Sequence, residues 1–90
     1  MSKQGIVVAI EKRVASSTAQ YSAWRIGLTH DWVQRKSEWG DSQDVTHFLA
    51  WQADSLSDAQ DVESFFINKG MKGGTGGNLS PNKTVYVYIF

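Results

Sequence analysis

The sequence predicts an α+β fold: a mostly antiparallel central sheet flanked by helices, with elements in the order β-β-α-β-α-β. Three observations predict it. The chain has 90 residues, 41% of them apolar and four of them tryptophan, enough for one core that buries roughly 60% of the unfolded surface and too little for two. Runs rich in β-branched and aromatic residues are interleaved with two segments that carry helix-start and helix-stop signals. The joining stretches are polar or glycine-rich, with no repeat and no linker, so residues 1–90 read as one small domain.

Gly5 to Ile10 is a continuous apolar run, Ile-Val-Val-Ala-Ile after the glycine, expected as a central strand buried on both faces. Ser16-Ser17-Thr18-Ala19-Gln20 is small and polar and predicts a loop leading to a second strand over 21–28. Thr29 or Asp31 can cap the helix that follows, expected over 31–39 with Gly40 as its stop. A third strand is expected over 45–52, rich in β-branched and aromatic residues. Ser57-Asp58-Ala59-Gln60 has a capping-box pattern and predicts a second helix, with Ala59, Val62 and Phe66 on its buried stripe and Gly70 as its C-terminal cap. Residues 84–90 alternate Val85, Val87 and Ile89 against Tyr86, Tyr88 and Phe90, a closing strand whose aromatic face is expected to pack under a helix.

Nine basic and nine acidic side chains give a formal charge of zero. Nothing global therefore draws the chain to nucleic acid or to an acidic membrane, and any phosphate binding has to be local. Without cysteine there is no disulfide framework, thiolate metal site or cysteine nucleophile. The apolar run near the start is too short for a signal peptide core or a membrane span. A soluble, cytoplasmic protein with no membrane partner is expected.

Several candidate features have ordinary structural readings. The stretch Gly-Met-Lys-Gly-Gly-Thr-Gly-Gly over 70–77 follows a helix instead of opening one, which argues against a nucleotide loop and leaves a connector or a loop closing over a site. His30 and His47, 17 residues apart with no cysteine partners, match no metal-ligand spacing. Asp54, Asp58 and Asp61 suit the start of the second helix electrostatically. Arg35 stands three residues after Trp32 and four before Trp39, at the margin of the first helix's apolar face, and Glu63 borders the stripe of the second helix in the same way. A snorkelled arginine and a phosphate-binding guanidinium are both consistent with that position, as are a structural Arg35–Glu63 pair and a shared site.

With these residues in view, the chain resembles the GIY-YIG endonucleases, small domains that cleave nucleic-acid phosphodiesters with one divalent metal. Gly5-Ile6-Val7 is similar to the first signature motif and Arg25-Ile26-Gly27 to the second; Arg35, eight residues after Gly27, matches the family's helix arginine. Glu63 resembles the metal-binding glutamate and Asn78, fifteen residues on, the asparagine beyond it. The chain departs from the pattern at Val7 and Arg25, which stand where the two signature tyrosines would be.

The resemblance implies a metal-binding, endonuclease-like hydrolase domain acting on or binding a DNA or RNA backbone. Arg35, Glu63, Asn78 and Arg25 would be its catalytic-site residues, with Glu63 holding Mg²⁺ or Mn²⁺ if the domain is active. An active endonuclease and a non-catalytic binding domain are both consistent with it, because the tyrosine that would activate water is replaced by valine. The alternative is a protein-interaction module using an exposed aromatic strand, a reading that the neutral charge favours.

Overall fold

The computed structural model describes residues 1–73 and 78–90. The chain forms α1 (Lys3–Ala15), a 3₁₀ turn (Tyr21–Ala23), β1 (Arg25–Thr29), α2 (Trp32–Gly40), β2 (Leu49–Ala53), α3 (Leu56–Asn68), β3 (Lys72–Gly73) and β4 (Val85–Ile89). The sheet order is β2-β4-β1-β3. β4 is antiparallel to both of its neighbours, and only the two-residue β3 runs parallel, beside β1. The α+β class and the mostly antiparallel, helix-flanked sheet are as the sequence predicts.

The first element corrects the sequence reading. Gly5 to Ile10 lies inside helix α1 instead of forming a strand. Five apolar residues in a row satisfy a buried strand and a helix equally, and the deciding pattern lies further along: Ile6, Ile10 and Val14 recur every four residues and are the buried ones. Val8, in the middle of the run, is 42% exposed, as it must be on the far side of a helix. Ser2 caps the start by accepting from the Gly5 amide at 3.1 Å, and Lys12 and Arg13 close the last turn, where cations suit the dipole. The strand expected over Gly5–Ile10 is therefore no neighbour of β1, which pairs with β4 and β3.

Smaller shifts concern boundaries. Tyr21–Ala23 form a 3₁₀ turn before β1, and residues 45–48 lie before β2 outside any strand. Ser55, not Ser57, caps α3, its hydroxyl accepting from the Asp58 amide at 3.1 Å. At the other end of α3 Gly70 adopts a positive φ of 115°. Its amide and that of Met71 bond back to Ile67 and Phe66, each at 3.0 Å, a Schellman closure that needs a residue without Cβ strain. The expected loop over 70–77 contains β3 at Lys72–Gly73, and residues 74–77 lie outside the described ones.

The two faces of the sheet are built differently. On one, Ile26 and Leu28 of β1, Val85, Val87 and Ile89 of β4 and Ala53 of β2 pack against Ile6, Ile10 and Val14 of α1 and Ala59, Val62 and Phe66 of α3. Each large side chain removed from water there contributes about 1.5–3 kcal/mol. The opposite face is aromatic. Phe48 stacks on Tyr88 at 5.2 Å and on Phe90 at 5.9 Å, with Trp32 outside it at 6.4 Å. Helix α2 lies over this face with no buried residue of its own. Trp39 is its main anchor, through an indole N–H donated to the Tyr88 hydroxyl at 2.9 Å and a tilted contact with Phe90 at 5.2 Å. Little apolar area holds α2 down, which makes it the helix most readily displaced.

β4 occupies the centre of the sheet, with Val85, Val87, Tyr88 and Ile89 buried. An exposed aromatic strand, expected as a protein-binding surface, is thus not what this segment forms.

Candidate functional site

Where β1 gives way to α2 the backbone is held by side chains. Thr29, 5% exposed, accepts from the Asp31 amide and donates to the Asp31 carbonyl, both at 3.1 Å. Asp31 then caps α2 by accepting from the Gln34 amide at 3.1 Å. His30 turns the other way. The Ser80 amide can only donate, so the His30 Nε2 that it meets at 2.9 Å accepts, and the ring proton on Nδ1 is donated to the Thr84 carbonyl at 2.8 Å. Both ring nitrogens are committed to fixing the 80–84 segment beside β1.

This turn, one side of α2 and the 78–79 segment enclose a cavity of about 190 Å³ lined by Thr29, His30, Asp31, Gln34, Arg35, Glu38, Asn78 and Leu79. Asp31, Gln34, Arg35 and Glu38 follow one another at helical spacing, which puts them on a single stripe of α2. Arg35 Nε lies 3.0 Å from Glu38 Oε1, and its side chain is only 21% exposed. The cavity holds one guanidinium and two carboxylates, one acting as the helix cap and one paired with that guanidinium. Its walls combine the side-chain amides of Gln34 and Asn78 and one guanidinium, groups that suit a compact polar ligand such as a phosphate, with two carboxylates that oppose an anion.

Of the four residues picked out by the sequence, Arg35 and Asn78 meet in this cavity. Arg25 stands at the other end of β1, in a separate cavity of about 230 Å³ with Ala23, Gln43, Asp44, Lys72 and Phe90. Its guanidinium lies 4.7 Å above the Trp39 ring and donates to the Gly73 carbonyl at 2.7 Å. Glu63 lines neither cavity. It projects from α3, the helix on the opposite face of the sheet from α2. It is half-buried, and desolvation raises its carboxyl pKa above the ordinary glutamate value.

Gln34, Glu38 and Thr29 were not singled out by sequence, although the spacing of the α2 stripe makes Gln34 and Glu38 readable beside Arg35. Lys72 beside Arg25 had no such signal, since their pairing depends on the β1–β3 register. Among the described residues no three histidine or acidic side chains gather as a metal-binding group, and no helix is long and apolar enough to cross a membrane. Comparisons with protein-family models, with curated proteins and with solved structures find no match to the chain.

Proposed function

We propose that this chain is a GIY-YIG-like domain that binds a nucleic-acid phosphodiester backbone, DNA or RNA, through the cavity at the β1–α2 turn. The observation that carries the reading is the meeting of Arg35 and Asn78, distant in sequence, in one small polar cavity. Of the two signature-like stretches, Arg25-Ile26-Gly27 stands on β1, whereas Gly5-Ile6-Val7 lies in helix α1.

In this reading Arg35 lends its positive charge to a phosphate, Asn78 and Gln34 add amide contacts, and His30 holds the turn. Hydrolysis is a further step that calls for a divalent ion. The residues do not fit one at this cavity: Glu63, which the resemblance assigns to the metal, projects from α3 on the opposite face of the sheet and lines neither cavity.

The test is binding of duplex and single-stranded DNA and RNA to wild type, Arg35→Gln and Asn78→Ala across a salt series. Affinity is expected to fall steeply with salt and to weaken in both variants. No affinity at low salt sinks the reading. Cleavage with Mg²⁺ or Mn²⁺, compared between wild type and Glu63→Gln, separates an active nuclease from a binding domain.

One observation favours a protein-interaction module instead. Trp32 and Val33, side by side at the start of α2, are 39% and 60% exposed on a helix with no buried residue. An apolar contact there would persist at high salt, and the uncharged change Val33→Ser would weaken it while leaving nucleic-acid affinity unchanged.

A further inference from the structure

β1 and β3 pair in parallel with Arg25 opposite Lys72, so two cations stand in register at one end of the sheet. Like charges so placed repel one another. Among the described residues neither lies within ion-pairing distance of a carboxylate. The Arg25 guanidinium is nonetheless fixed, by the Trp39 ring beneath it at 4.7 Å and by one N–H given to the Gly73 carbonyl at 2.7 Å. One of its five donors is thereby used. Between the two cations opens the cavity of about 230 Å³, with Gln43 and Asp44 on its wall. Asp44 is the one opposing charge, and its Oδ1 is occupied by the amide and hydroxyl of Thr46. A held guanidinium, a lysine beside it and a side-chain amide on a small cavity form an arrangement suited to a tetrahedral oxyanion.

We propose that the cavity between Arg25 and Lys72 is a phosphate site separate from the one at Arg35. Its relation to the first site rests on the nucleic-acid reading above. Thr29 and Arg25 mark the two cavities along one strand, about 13 Å apart for four residues of roughly 3.3 Å rise. A few consecutive phosphates of one strand cover that span. The substrate class is then a nucleic-acid strand with its backbone held at both ends of β1, instead of a mononucleotide seated at Arg35 alone.

Nuclear magnetic resonance titration of the whole chain tests this with two probes, inorganic phosphate and an oligothymidylate of about eight nucleotides. Phosphate is expected to shift the Arg25 side-chain Nε–H, the Lys72 amide and the Trp39 indole N–H. Lys72→Gln, a change at an exposed edge position, and Arg25→Gln are each expected to weaken those shifts several-fold while signals of His30 and Asn78 respond as in wild type. Asp44→Asn is expected to strengthen them. The oligonucleotide should move both groups of signals and bind about tenfold more weakly to Lys72→Gln. Phosphate that leaves Arg25, Lys72 and Trp39 unmoved overturns the site. An oligonucleotide that moves only the His30 and Asn78 signals overturns the two-ended track while leaving the nucleic-acid reading intact. Phosphate that moves the Arg25 group when no oligonucleotide binds upholds the site and removes the nucleic-acid reading instead.

Discussion

The phenol ring of Tyr88 lies across Gly27 on the neighbouring strand, so that a β-carbon at position 27 would run into the ring. Tyr88 has nowhere to retreat. Its ring is fully buried, stacked against Phe48 at 5.2 Å and tied through its hydroxyl to Trp39. Gly27→Ala is therefore an overpacking change in a rigid place and is expected to destabilise the fold by about 1–3 kcal/mol. Urea unfolding followed by tryptophan fluorescence measures it. A Gly27→Ala protein as stable as wild type would mean that Tyr88 rests elsewhere.

The Trp39–Tyr88 hydrogen bond has unequal ends, and the two deletions should differ. Tyr88 is fully buried while Trp39 is half-buried. Trp39→Phe leaves the phenol without its donor in an apolar layer and also removes the ring under Arg25, at a cost of about 1–3 kcal/mol. Tyr88→Phe keeps the ring stack and leaves an indole N–H near solvent, at a cost of about 1 kcal/mol or less. Equilibrium unfolding of both single variants and the double variant gives the ordering and the coupling between them.

Part of each face of the sheet is readable in the sequence and part is not. The alternation through β4, the cap before α2 and the buried stripe Ala59, Val62 and Phe66 all follow from short-range patterns, and all are present. Helix α1 is not legible in its apolar run, because its decisive residue, Val14, lies beyond that run. The real neighbour of β1 is not legible either, since strand pairing is settled by non-local contacts that periodicity does not encode. The same reason separates the candidate residues. Arg35 sits on a stripe whose spacing can be counted, whereas the pairing of Arg25 with Lys72 and the face from which Glu63 projects become visible only once the sheet order is known.

His30 acts as a clasp between β1 and the segment before β4. His30→Ala removes an acceptor from the Ser80 amide and a donor from the Thr84 carbonyl, with an expected cost of about 1–2 kcal/mol. The change should be local. Amide exchange at Ser80 should accelerate by more than that at the core strand β4, because the segment can open without unfolding the sheet. Uniform acceleration across the chain would show that the clasp holds the whole fold instead.

Glu63 makes a prediction whose sign depends on pH. Desolvation raises its folded carboxyl pKa above the ordinary glutamate value, so the folded chain holds the proton more tightly than the unfolded chain. Below the unfolded pKa both states are protonated and burial carries no charge penalty. As pH rises through the interval between the unfolded and the raised folded value, the folded state must ionise a half-buried group, and stability falls. Glu63→Gln removes that penalty. The variant is expected to be more stable than wild type at neutral pH, with the difference vanishing in acid, as thermal unfolding at several pH values will record. A divalent ion held by Glu63 would act in the opposite direction, stabilising the ionised folded state. Millimolar Mg²⁺ or Mn²⁺ should then raise the unfolding temperature of wild type and leave Glu63→Gln unchanged. Equal responses of the two proteins would take the metal away from Glu63, while the acid-dependent difference between them would remain as the signature of its burial.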